Sequence, residues 1–223
     1  VKRIPEYVSA AFRRAKSGTP GPVYLECPTD ILPRKVEESE VAYPQNRYAE
    51  QESHASPARI KEAVALLLAA ERPLVIAGDA VFWAKADQEL REFVELTEIP
   101  VLTTGFARGA VPLDHPLALA RGQTNLADLI LTLGVRFDFM LNYGRPPRFS
   151  AEAKTIQVGV DPSRIGFNRP ADVGIVAGAK GVLKQMIEEI RATGKPVGHP
   201  AWIAQLKSLA QAADERRARL YNA

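Results

Sequence analysis

The sequence has one cysteine, Cys27, in 223 residues. That excludes a disulfide framework and any all-cysteine metal site. Histidine is nearly as scarce, and His54, His115 and His199 are too scattered to propose a metal centre. No apolar run reaches the roughly 18 residues of a membrane helix, so no membrane span is expected. Charge of one sign is also lacking. The 29 Lys and Arg against 26 Asp and Glu leave +3, too little to imply nucleic acid or an anionic membrane as partner. No G-x-G-x-x-G fingerprint, Walker loop, Ser–His–Asp or Cys–His arrangement is present. The start, Val1-Lys2-Arg3-Ile4-Pro5, is neither a signal peptide nor an initiator, so Val1 is read as a cut inside a longer chain.

What is present is an ordinary globular composition, 46% hydrophobic and 25% charged, long enough for one large domain and a piece of another. Ile4, Val8 and Phe12 recur at helical spacing, and Ser17 to Pro22 stops that helix. Val23 to Cys27 reads as a short strand in which Cys27 is a buried small residue. A helix and a strand cannot form a sheet alone, so this segment needs partners. Residues 33–55 read as a linker, rich in Glu and poor in apolar periodicity.

From Ser56 the pattern becomes regular. Ser56-Pro57 is a helix start, with Ile60, Val64, Leu67 and Leu68 as its buried stripe. Strands are predicted at 73–77, 99–104, 129–133, 155–160 and 173–176. Helices are predicted through Leu90 to Leu96, through Val182 to Ile190, and from about Pro200. The alternation predicts an α/β fold: a doubly wound, mostly parallel sheet with helices on both faces.

Ligands of such sheets bind beyond the carboxyl ends of the strands, where strand order reverses. The strand-end turns are therefore the candidates: Gly78 and Asp79, Thr103 and Thr104, Gly134, Val135 and Arg136, and Asp161. Glycine admits close backbone approach, threonine offers hydroxyls, Arg136 suits a phosphate and Asp161 a ribose hydroxyl. Together they suit a nucleotide-containing ligand. Each also has a plainer reading. Gly78 is then only a turn, Arg136 and Asp138 a structural pair or cap, and Asp161-Pro162-Ser163 a helix start. His115 reads as a satisfied surface histidine, and His54 and His199 as solvated. Arg145-Pro146-Pro147-Arg148 is either an anion-binding patch or a solvated loop. No catalytic residue and no metal ligand is assigned.

Several runs resemble a known family, the thiamine diphosphate-dependent enzymes of the acetolactate synthase group. Ala10 to Ala15, and Gly21-Pro22-Val23-Tyr24-Leu25-Glu26-Cys27-Pro28-Thr29-Asp30-Ile31, look like the end of its pyrimidine-binding domain. Glu71 to Gly78, Ile99-Pro100-Val101, Gly109 to Pro112, Asp114-His115-Pro116, Ala127 to Ile130 and Leu133 to Asp138 look like its central domain. Ile156 to Pro162, Asn168-Arg169-Pro170 and Gly174-Ile175-Val176 close the match. Asn142 to Phe149 also resembles the 2-hydroxyacyl-CoA lyase branch, whose central domain holds ADP or CoA.

The resemblance implies part of a carbon–carbon lyase or synthase. Residues 1–32 would end the pyrimidine domain, 33–55 link, and 56–192 form a Rossmann-like central domain binding FAD or ADP/CoA. Residues 193–223 would lead toward a pyrophosphate domain. Thiamine diphosphate and magnesium would sit on the pyrimidine and pyrophosphate domains, whose glutamate and Gly-Asp-Gly…Asn motifs are missing here. A cytoplasmic homodimer or homotetramer is implied. Three departures stand out. Gly159 and Gly178 replace acidic positions that contact the nucleotide in relatives, and the stretch from His115 to Ala127 is short. The alternative is a non-catalytic nucleotide-binding or assembly module. An NAD-dependent deacylase would need a cysteine zinc module and a catalytic histidine.

Overall fold

A computed structural model describes residues 1–45, 53–119, 123–195 and 197–221. The chain forms two compact units, Val1–Gln51 and Glu52–Ala223.

Among its described residues the first unit holds one α-helix, α1 (Ile4–Lys16), opened by Pro5 and stopped at Ser17. None of its residues is buried. The strand predicted at Val23–Cys27 does not form, Tyr24 is 85% exposed, and Cys27 is exposed rather than buried. A strand needs a neighbour for its backbone groups, and this unit offers none among the described residues. Of the predicted linker, residues 46–52 lie outside the described residues; residues 33–45 carry one short 3-10 turn at Glu38–Glu40.

The second unit is built from α2 (Pro57–Ala69), β1 (Pro73–Ala77), α3 (Asp79–Trp83), α4 (Asp87–Thr97), β2 (Val101–Thr103), β3 (Leu129–Leu133), β4 (Lys154–Gly159), β5 (Val173–Val176), α5 (Ala179–Thr193) and α6 (Pro200–Tyr221). The five strands lie in the order β2-β1-β3-β4-β5, all parallel. Every residue of β1 and β3 is buried, which is why both read as apolar runs, interrupted only by Thr132. The unit extends past 56–192 at both ends. The Ala55 amide donates to Gln185 and Trp202 Nε1 donates to the Pro73 carbonyl, which docks the start of α6.

The period-2 alternation of β1 divides the core. Val75 and Ala77 face one layer with Ile60, Val64, Leu67, Phe93, Leu183 and Met186 from α2, α4 and α5. Leu74 and Ile76 face the other, where Phe137, Leu141, Phe149 and Ala153 pack. Among the described residues, the buried side chains of this second layer come from the strands and from the loops around β3 and β4. The segment that covers it carries Gly134, Gly144, Pro146 and Pro147, which prevent a long helix and leave only a 3-10 stretch at Phe139–Gly144. No helix among the described residues is long and apolar enough to cross a membrane.

Candidate functional site

With strand order β2-β1-β3-β4-β5, the order reverses between β1 and β3. Gly78 and Gly134 stand at the carboxyl ends of these two strands and touch. A Cβ on Gly78 would lie 2.7 Å from the Gly134 carbonyl oxygen. A Cβ on Gly134, where φ is +63°, would lie 2.1 Å from the Ala80 Cβ. Both glycines are thus required by the close approach of the two turns.

Their amides are already engaged. The Gly78 amide donates to the Leu133 carbonyl, that of Gly134 to Val158, and that of Thr104 to Ala77, each continuing the sheet ladder. Thr103 ends β2 opposite Ala77. A ligand at this edge therefore meets side chains more than backbone donors.

The three strand-end aspartates are engaged too. Asp79 Oδ1 accepts from the Phe106 amide at 2.9 Å, tying the β1 turn to the β2 turn. Asp138 caps the 3-10 stretch through the Met140 amide, so it is a cap and not the partner of Arg136. Asp161 Oδ1 accepts from the amide and hydroxyl of Ser163, which hold its carboxyl below the usual range. Each aspartate spends one oxygen on holding a loop. Arg136 and Arg145 are exposed and have no partner among the described residues. Arg148 Nη1 donates to the Met140 carbonyl. Arg136, three residues after the end of β3, is thus a cation at this edge beside the anionic Asp79 and Asp138.

The β5–α5 turn is closed by the chain itself. The Gly178 amide donates to Ser53 Oγ at 2.7 Å, and a Cβ on Gly181 would lie 2.8 Å from the Ser53 carbonyl. Asp161 stands at the end of β4, separate from the Gly78–Gly134 contact. Of the candidates, the structure brings together Gly78, Asp79, Gly134 and Val135, with Thr103 and Thr104 on the neighbouring strand. Two cavities lie elsewhere. One of about 500 Å³ is lined by Glu95, Glu98, His115 and α6; one of about 280 Å³ lies at the amino edge beside Arg72 and Asp128.

Four features escape the sequence reading. Arg169 is buried, and its guanidinium donates to Thr155 Oγ1 and to the carbonyls of Gly144, Ser150 and Ala153. Burial lowers its pKa, opposed by Asp172. Gln157 is buried in β4 and pins the next loop, donating to the Arg169 carbonyl and accepting from the Gly166 amide. His199 is not solvated as predicted: Nε2 is buried without a partner, and burial lowers its pKa against the pull of Asp128, Glu71 and Glu98. It stands just before α6, near Asp128, Glu71 and Glu98. The fourth feature is a group of exposed aromatic rings, Phe82, Trp83 and Phe106, at the carboxyl edge. His115 is half-buried, with Nδ1 accepting from the Leu117 amide.

Residues 60–186 match the family described as thiamine pyrophosphate enzyme, central domain. The chain is 32% identical over 225 residues to 2-hydroxyacyl-CoA lyase of Arabidopsis thaliana, covering 97% of this chain and 39% of that protein. It is 33% identical over 201 residues to a probable acetolactate synthase large subunit of Methanococcus aeolicus, covering 84% and 33%. A crystal structure of benzoylformate decarboxylase from Polynucleobacter necessarius superposes with a TM-score of 0.62 at 26% identity, covering 82% of this chain and 36% of that one. The chain spans between 33% and 39% of the length of these relatives.

Proposed function

This chain belongs to the thiamine pyrophosphate enzymes, matching their central domain over residues 60–186, and on that premise we propose that it is the nucleotide-holding middle of a carbon–carbon lyase or synthase. The parent activity is of the acetolactate synthase or 2-hydroxyacyl-CoA lyase kind. What carries the reading is identity of 32–33% to proteins of both kinds across 84–97% of the chain.

The residues here do not fit thiamine diphosphate with magnesium. Among the described residues no group of three or more His, Cys, Asp or Glu is placed to hold a metal ion. In this proposal that cofactor belongs to pyrimidine and pyrophosphate domains, within a cytoplasmic homodimer or homotetramer. No reaction step is assigned to the present residues.

The group these residues do suit is a nucleotide diphosphate, as in FAD, ADP or CoA. The support is Arg136, exposed just past the end of β3 and without a side-chain partner among the described residues. In this reading Arg136 meets the diphosphate. Thr103 and Thr104 offer hydroxyls beside it. Gly78, Gly134 and Val135 form the floor of the crevice. Asp161 would offer a ribose hydroxyl its second oxygen, which lies 3.7 Å from Arg164 Nε. Ser53 occupies the Gly178 amide, which keeps the ligand on the β1–β3 side.

Two experiments test the proposal. Titrating the purified chain with FAD, ADP and CoA should raise the melting temperature with at least one of them, through mass action. Arg136→Ala should weaken that ligand by about 10- to 150-fold, the span of one charge-assisted hydrogen bond. No shift with any of the three refutes the nucleotide role. The parent enzyme should cleave a 2-hydroxyacyl-CoA or form acetolactate from a 2-oxo acid; neither activity refutes the reaction class.

A further inference from the structure

Asn168 lies in the loop between β4 and β5 and has φ +65°, a left-handed conformation that asparagine tolerates better than most residues. The chain is pinned on both sides of it. Gln157 of β4 accepts from the Gly166 amide through Oε1 at 2.8 Å and donates through Nε2 to the Arg169 carbonyl at 2.9 Å. Arg169 is anchored again by its guanidinium, to Thr155 Oγ1 at 2.7 Å and to the Gly144 carbonyl at 2.6 Å. The backbone at Asn168 is therefore over-determined, and with it the direction of the side chain. That side chain donates from Nδ2 to the Phe137 carbonyl at 2.8 Å.

Phe137 is held through its ring as well. The ring is buried, meets Phe149 edge-on at 5.5 Å, and lies so close to Gly144 that a Cβ there would be 2.8 Å from Phe137 Cδ1. Arg136 directly precedes Phe137 and follows the Gly134 turn, whose amide donates to the Val158 carbonyl. Its backbone thus runs between two fixed points, Gly134 and Phe137. Its guanidinium is exposed and has no side-chain partner among the described residues. A cation with a fixed root and a free head is pre-organised for a ligand from outside, because only the side chain has to be ordered on binding.

We propose that Asn168 is a positioning residue for Arg136: through the Phe137 carbonyl it aims the guanidinium at the diphosphate. This rests on the reading above in which Arg136 meets a nucleotide diphosphate, and it adds the residue that sets the direction of that contact. In this assignment Asn168 does not itself touch the ligand.

Asn168→Gly tests the assignment, because glycine accepts φ +65° at no steric cost and only the side-chain donor is removed. A circular dichroism melt should show the variant folded. Titration calorimetry should show ADP weakened by about 2- to 13-fold, the cost of ordering one side chain that is no longer held in place. Adenosine, which lacks the diphosphate, should bind the variant as it binds wild type, whereas a purely structural role would weaken both. A double-mutant cycle then separates direct from indirect action. In an Arg136→Ala background, Asn168→Gly should have no further effect on ADP affinity. Losses that simply add would mean that Asn168 acts by a route other than Arg136, and overturn the proposal. Unchanged ADP affinity in Asn168→Gly, with Arg136→Ala still weakening ADP, overturns it and leaves the nucleotide reading intact. A variant that fails to fold makes Asn168 a structural residue and overturns it too. If wild type binds FAD or CoA and not ADP, the same cycle is run with that ligand. Failure of the wild-type chain to bind any of the three removes the nucleotide reading, and this assignment with it.

Discussion

Gly134→Ala tests the packing on which the candidate site stands. Two penalties add. Gly134 has φ +63°, and a non-glycine residue there costs about 1–2 kcal/mol. The new Cβ would also lie 2.1 Å from Ala80 Cβ and 2.7 Å from Ala80 N, so backbone must move rather than a flexible side-chain end. Overpacking of that kind costs about 1–3 kcal/mol. The sum is about 2–5 kcal/mol, a large share of the roughly 5–15 kcal/mol that a domain holds. With a urea slope of about 2 kcal/mol per molar, the unfolding midpoint should fall by roughly 1 to 2.5 M. Gly159→Ala is the control. Its Cβ would meet only Ile165 Cδ1, at 3.8 Å, so it should stay within about 1 kcal/mol of wild type. A Gly134→Ala midpoint within 0.3 M of wild type, roughly 0.6 kcal/mol on the same slope, would refute the contact between the two turns.

Three further outcomes are expected. Arg169→Met should destabilise the chain by about 3–5 kcal/mol in denaturant melts, because Thr155 and the carbonyls of Gly144, Ser150 and Ala153 lose their buried donor. Trp202→Phe should cost about 1–2 kcal/mol by the same measurement, since it removes the donor to the buried Pro73 carbonyl while keeping a large ring. His199 carries a pH signature. Its folded pKa lies below the ordinary 6.5, so between the two values the unfolded chain binds more protons and stability rises with pH. Stability should therefore fall as pH drops below about 6.5 and level off below the folded pKa. His199→Gln should remove that part of the pH dependence in thermal melts, and a wild-type profile unchanged by the substitution would count against the buried histidine.

The parts of the fold legible in the sequence are those whose signal is local. Pro73–Ala77 and Leu129–Leu133 read as strands because both faces are buried, so no polar residue interrupts the apolar run except Thr132. The α5 stripe, Val182 to Ile190, is equally plain because one helix face meets one core layer. Val23–Cys27 has the same strand-like composition and forms no strand, since composition does not supply a neighbour. The cover of the second core layer, a 3-10 stretch at Phe139–Gly144 and loops, is a different case. There the glycines and prolines after β3 were visible, but the alternation of elements outweighed them. For the candidate site, the glycines at 78 and 134 were legible as turns, whereas their mutual contact depends on strand order. Arg169 and Gln157 gave no signal, because an isolated polar residue in sequence does not reveal whether four acceptors converge on it in space.

The engaged amides change how the edge must recognise a ligand. In a glycine-rich phosphate loop the backbone supplies the donors, and the fingerprint is legible because glycine is needed at fixed spacing. Here Gly78, Thr104 and Gly134 give their N–H groups to Leu133, Ala77 and Val158. The glycines serve the contact between turns, so the lack of a G-x-G-x-x-G fingerprint is the result of that use and does not argue against a ligand. Under the proposed nucleotide role, recognition passes to side chains, with Arg136 for charge. Side chains at loop positions leave no fixed spacing in a sequence. Binding that depends on Arg136 should weaken with rising salt, since its charge is exposed to screening. Measuring ADP affinity at low and high salt in wild type and in Arg136→Ala tests this: the salt dependence should shrink in the variant, and a salt dependence that survives there unchanged counts against Arg136 as the group that meets the diphosphate.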